Sequence, residues 1–224
     1  MELSCTFLIL TAFGLGVRHA FDLDHLATID SITRNIDSQQ YLAKVVGFLF
    51  SVGHGLIVML LSSMIGLGLF KRTFPHWLDG FGNWISVFFL FIFGVTNLYM
   101  VFKSSNTSLI NYKGALAKIL LRKKNQPLFI MLIGALFALS FDTFTQVSLF
   151  SLEAATIGSW FFSSILGLIF MIGMIVADGV NGYIVGVLLA NIDKKSCILS
   201  KGFGIMISFF SLMICTTNLI KLMN

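Results

Sequence analysis

Long runs of Leu, Ile, Val, Phe and Met recur along the chain, each able to supply about 20 apolar residues, and short polar stretches separate them. They mark six segments, at about 3–32, 43–70, 84–102, 128–151, 159–190 and 202–221. The alternation expected of a membrane barrel is missing, and the chain holds only two prolines. A helix satisfies its own backbone hydrogen bonds in lipid. The pattern therefore predicts an all-α integral membrane protein, a six-helix transmembrane bundle forming one domain over 1–224. Four segments contain ionisable residues; the third and sixth do not, and are expected mainly to pack.

Composition strengthens this reading. The chain is 57% hydrophobic and 11% charged, whereas soluble domains are roughly 45–50% apolar and 25% charged. Charge then orients the spans. Arg34, Lys44, Lys103, Lys113, Lys118, Arg122, Lys123, Lys124, Lys194, Lys195 and Lys201 fall on one side, against Lys71, Arg72 and Lys221 on the other. The first side is cytoplasmic by the positive-inside rule, so both termini face outward. The net charge of +5 is thereby accounted for without nucleic acid.

In the basic cytoplasmic loop, 103–126, Leu109, Ile110, Leu116, Ile119, Leu120 and Leu121 interleave with basic residues. This predicts an interfacial amphipathic helix on the inner membrane surface. Leu3–Val17 lacks the flanks of a removable signal peptide. Cys5, Cys197 and Cys215 are scattered, which indicates neither a disulfide framework nor a thiolate metal site. "FDLDH" and "FDTFT", then "VGHG" and "ADGVNG", echo each other faintly across the two halves. A 3+3 inverted repeat, with its site at the repeat interface, fits that echo.

Polar residues inside the spans carry the chemistry. Segment 1 holds His19, Asp22, Asp24 and His25, segment 2 His54, segment 4 Asp142 and segment 5 Asp178. An ionised side chain at mid-bilayer is expensive unless it is paired, hydrated or bound to a cation. On a straight helix His19, Asp22 and His25 share an arc of ~120°, and Asp24 falls roughly opposite Asp22. Asp24 is then a pairing group, or the helix is broken nearby, with Gly14 and Gly16 as candidate points of distortion. Arg18 precedes Asp22 by one helical repeat and reads as its charge compensation. Rise per residue puts His19, His54, Asp142 and Asp178 in one slab of the membrane. Met171 and Met174 read as packing, and His76 as an interfacial loop residue.

Imidazole and carboxylate without thiolate suit a borderline divalent ion such as Ni²⁺, Co²⁺ or Zn²⁺. Proton relays and structural ion pairs remain alternative uses of the same residues.

"RHAFDLDH" fits an H-x4-D-H pattern. With it the chain resembles the nickel/cobalt transporter (NiCoT) family of secondary metal permeases. "FSVGHG" at 50–55, "LSFDTFTQ" at 139–146 and "GMIVADGVNG" at 173–182 resemble that family's other signatures, in order. The resemblance implies metal recognition by His19, Asp22, Asp24 and His25, with His54, Asp142 and Asp178 along the same path. Arg18, Ser51, Asn97, Thr143, Gln146 and Asn181 are expected behind these groups or lining the path. Gln146 stands where the family has glutamate, and Gly179 and Asn181 replace a threonine and an aspartate, so two negative charges are absent. The chain is also shorter than the roughly eight-span family pattern, as if one helix were missing from each end.

The expected function is a secondary permease moving Ni²⁺ or Co²⁺ into a prokaryotic cell across the cytoplasmic membrane. A dication entering a negative interior gains about 4.6 kcal/mol per 100 mV, twice the single-charge value. No prosthetic group is expected; the metal is cargo. Expected partners are the ion and membrane lipid, with a homo-oligomer allowed. The alternatives are the metal-capturing membrane subunit of an ATP-driven importer and a metal exporter. A metalloenzyme is disfavoured, because four histidines are too few for a histidine-box di-iron site and GxSG is absent.

Overall fold

The computed structural model describes residues 5–36, 40–69, 76–103, 126–140, 144–155, 160–190 and 194–223. Eight helices run in chain order: α1 Cys5–Ala20, α2 Leu23–Asn35, α3 Gln40–Gly66, α4 His76–Lys103, α5 Gln126–Phe137, α6 Phe144–Ala155, α7 Trp160–Ala190 and α8 Lys194–Met223. Among the described residues there is no strand. The all-α expectation therefore holds.

Within α3, α4 and α7, stretches 41–66, 80–99 and 160–187 are each long and apolar enough to cross a membrane. The 31 residues of α7 reach about 46 Å at 1.5 Å per residue. α1 and α2 together make a fourth candidate span, bent by 55°. The surface is inverted relative to a soluble protein. Leu10, Phe88, Leu128 and Phe209 are 59–68% exposed, while His19, His25, Ser51, His54 and Asp178 are buried. Apolar surface outside and polar groups inside mark a multi-pass membrane protein.

The stretch read as one span over 3–32 is thus two helices. The break lies at Phe21–Asp22 rather than at Gly14 or Gly16. Phe21 and Asp22 close it with backbone bonds to the carbonyls of Arg18 and His19, at 3.1 and 2.9 Å, and Asp22 is extended at φ −66°, ψ 142°. Gly16 serves packing instead, since a Cβ there would strike the Phe170 carbonyl of α7. The stretch read as a span over 128–151 is likewise divided between α5 and α6. His76, expected in a loop, is the first residue of α4. The amphipathic helix expected in the central loop lies outside the described residues.

α3 packs along much of α7, and glycines set the separation. A side chain at Gly47 would collide with the Asp178 carbonyl, and Gly182 sits directly across from Gly47. On another face of α3, Gly53 meets the Met131 backbone, while Gly134 of α5 meets that of Phe50. α3 is therefore clamped between α5 and α7, which fixes His54 and Ser51. α3 ends where Gly68 takes φ +73°, its N–H bonding to the Ile65 carbonyl and the Leu69 N–H to that of Met64. α4 and α8, which carry no ionisable residue in mid-span, pack on each other; Leu90, Val87 and Cys215 form part of that contact.

Candidate metal site

Three imidazoles meet where α1, α2 and α3 converge. Ring centroids lie 4.5 Å apart for His19 and His25, 5.0 Å for His19 and His54, and 4.8 Å for His25 and His54. All three are buried, and each offers a ring nitrogen within 4.8 Å of the others'. The break after α1 makes this convergence. His19 ends one arm and His25 begins the next, so both rings turn toward His54 on α3.

The spacing of one pair suits a shared ion. Two nitrogens at 2.0–2.1 Å from one metal lie about 2.9–3.4 Å apart for angles between those of octahedral and tetrahedral sites. His19 Nε2 and His54 Nε2 are 3.1 Å apart. His25 Nε2, His54 Nδ1 and Asp178 Oδ1 are buried without a hydrogen-bond partner. Buried polar atoms of this kind are ordinarily satisfied, and an ion on His25 Nε2 would satisfy the first of them.

Two of the aspartates stand behind the histidines. Asp22 Oδ2 lies 3.0 Å from His19 Nδ1, and Asp178 Oδ2 lies 3.1 Å from His25 Nδ1. A carboxylate accepting the Nδ1 proton fixes the tautomer and leaves the Nε2 lone pair for a metal. Asp22 is itself held by the Arg18 guanidinium, and Ser51 Oγ donates to Asp178 Oδ2 at 2.6 Å. The formal charge of Asp22, Asp24, Asp178 and Arg18 together is −2, equal and opposite to a dication. Phe50 stands edge-on to His25 at 4.9 Å, and Phe170 lies 5.3 Å from His19. These rings help to keep the site dry.

The other expected residues divide. Asp24 makes no hydrogen bond to the rings among the described residues; its Oδ1 accepts the His25 backbone N–H at 3.0 Å, where the first turn of α2 leaves donors unmet. Gln146 is buried, and its Nε2 donates to the Ala138 carbonyl at 2.9 Å. Asn97 donates to Ser31 Oγ at 2.8 Å, nearly two turns of α2 beyond His25, and has no bond to the imidazoles. Asn181 is partly buried on α7, one turn past Asp178. Asp142 and Thr143 lie outside the described residues. Met174 is fully buried in the core, as expected of packing.

Sequence reasoning missed Thr145, whose Oγ1 lies 2.9 Å from His19 Nδ1 and 3.4 Å from Asp22 Oδ2. It falls inside the quoted stretch "LSFDTFTQ", so its motif was in view while its direction was not.

Comparison with known proteins follows the same lines. A family model described as a high-affinity nickel-transport protein matches residues 5–223. The nickel transporter NicT of Mycobacterium tuberculosis is 30% identical over 203 residues, covering 77% of this chain and 55% of that protein. NixA of Helicobacter pylori strain 26695 is 33% identical over 199 residues, 76% of this chain and 60% of its own. Over a shorter stretch of 62 residues, 28% of this chain and 18% of the relative, it is 44% identical to the cobalt transport protein NhlF of Rhodococcus rhodochrous. The chain thus spans a little over half the length of the first two. No solved structure matches it. With the family model covering nearly its whole length, the chain belongs to the high-affinity nickel-transport protein family, a family of transporters and not of enzymes.

Proposed function

We propose that this chain carries Ni²⁺ or Co²⁺ through the cytoplasmic membrane of a prokaryote, inward, as a secondary permease driven by the membrane potential. One observation carries the reading: three buried imidazoles on three helices face one another, two of them backed by carboxylates, with no thiolate among the described residues of the cluster. Nitrogen ligands of this kind favour borderline first-row dications over Mg²⁺ or Ca²⁺. His19, His25 and His54 hold the ion in this reading. Asp22 and Asp178 orient the rings and balance charge. Asp142 and Asp24 lie along the path.

The same reading takes the whole chain as a single domain, a six-span bundle with both termini outside and the 103–126 segment on the cytoplasmic surface. Its two halves are inverted repeats. Supporting this, the apolar stretches 3–32 and 128–151 are each divided between two described helices, α1 with α2 and α5 with α6. Interrupted spans near the midplane are a common way for transporters to present a site.

Purified protein in liposomes, with an imposed inside-negative potential and no ATPase, should accumulate Ni²⁺ or Co²⁺ in preference to Zn²⁺, Fe²⁺ and Mn²⁺. His19→Ala and His25→Ala should abolish that accumulation while remaining in the membrane. Uptake by both variants at the parent rate would reject the assignment. Accumulation only when an ATPase is supplied would favour the metal-capturing subunit instead.

A further inference from the structure

Next to the histidines lies a partly open cavity of about 300 Å³, lined by Arg18, Asp22, Asp24, Ser86, Ser140 and Asn218 together with three apolar side chains. Two of these polar residues, Ser86 on α4 and Asn218 on α8, come from the helices expected mainly to pack. Ser86 is buried, and Ser140 Oγ donates to Asn83 Oδ1 at 3.1 Å, so α4 and the end of the α5 turn form a fixed polar wall.

We infer that this cavity is a staging site for a hydrated divalent cation, from which the ion passes to His19, His25 and His54; this rests on the permease reading above. Size is the first support. At ~30 Å³ per water, the space holds about ten waters, more than the six of an octahedral aqua ion. Its lining is the second. Two carboxylates supply charge, while hydroxyl and amide groups can exchange hydrogen bonds with coordinated water without replacing it.

Continuity is the third support. Asp22 lines the cavity and also bonds His19, so a single carboxylate borders both the hydrated ion and the first ligand that would dehydrate it. Arg18, paired with Asp22 at the same wall, is a tethered cation that an arriving dication displaces. Ser86 sits in the first half of α4 and Asn218 in the last turns of α8. Charge distribution assigns those ends to the outside, making the cavity an entry chamber.

Plugging the chamber from two independent helices tests this. Ser86→Leu and Asn218→Phe each place an apolar side chain in the space without touching a histidine. In proteoliposomes holding the full chain, each should lower initial Ni²⁺ uptake about fivefold or more, while equilibrium Ni²⁺ binding by calorimetry stays within about twofold of the parent, the mark of an access effect. Parent-like uptake in either stably folded plug would overturn the chamber. So would a loss of affinity matching the loss of rate, since the cavity would then act only through the histidines. Asn218→Phe faces a partly open position and serves alone if Ser86→Leu does not fold. His54→Ala runs beside them: if it still transports, the histidine site itself has failed, and that failure is distinct from the chamber's.

Discussion

Asp178→Asn isolates charge from geometry at the centre of the site. Both His25 Nδ1 and Ser51 Oγ bond the same oxygen, Oδ2, at 3.1 and 2.6 Å. An asparagine can put its carbonyl there, keep both bonds and leave the His25 tautomer as it was. What changes is the charge, with the buried Oδ1 replaced by an amide nitrogen. An ion on His25 Nε2 would lie roughly 6 Å from the carboxylate. At an effective dielectric near 20 the attraction is about 5 kcal/mol before desolvation is counted. Hydrogen-bond partners of metal-bound histidines typically change affinity by about 10–100-fold, or about 1.4–2.7 kcal/mol. Desolvation removes much of the Coulomb figure, so the smaller range is the expected one. Calorimetric titration of purified protein should therefore show the Ni²⁺ Kd rising at least about tenfold in Asp178→Asn. Asp178→Leu, which also frees the His25 ring, should lose more. A Kd within about twofold of the parent for Asp178→Asn would refute the charge argument.

Three further outcomes follow from the geometry. His54→Ala should abolish Ni²⁺ binding, whereas His76→Ala, at the far end of α4, should leave it intact; equal losses would show that the triangle of rings is not the site. Gly47→Ala forces α3 from the Asp178 backbone and should destabilise the protein by about 1–3 kcal/mol, with a lower Tm and weaker metal binding together. Unchanged melting would mean that the α3–α7 contact is looser than described. Gln146→Glu removes the donor to the Ala138 carbonyl and buries a carboxylate beside that oxygen, which should cost about 1–3 kcal/mol and be visible as a lower Tm in metal-free protein. A raised Tm would show that a cation or proton already compensates there.

Which residue types matter was legible from their cost in lipid: His19, Asp22, His25, His54 and Asp178 stand out in any apolar segment. How they divide was not. On an unbroken helix Asp22 shares an arc with His19 and His25 and reads as a ligand. In the structure the chain turns at Phe21–Asp22, and the carboxylate ends up behind His19, beside Thr145. Asp24 posed the opposite problem. Its angular position on a straight helix predicted the mismatch, and the 55° bend resolved it by giving Asp24 to the cavity wall. Ser86 and Asn218 sent no signal, because an isolated serine or asparagine in an apolar helix gains meaning only from the helix packed beside it. The glycines of α3 were visible as residues, but only the packed partners show that Gly47 faces α7 and Gly53 faces α5.

The joint at Phe21–Asp22 has a mechanical consequence. His19 and His25 sit on opposite arms of one elbow, and neither arm needs to unwind for the elbow to flex. At a lever of roughly 6 Å, four residues along the rise, a swing of about 10° shifts a ring by about 1 Å, half of a metal–nitrogen bond length. Grip strength is thereby tied to the angle of the chain. On the proposed reading a captured ion would brace the elbow, and any motion that straightened or sharpened it would loosen the load.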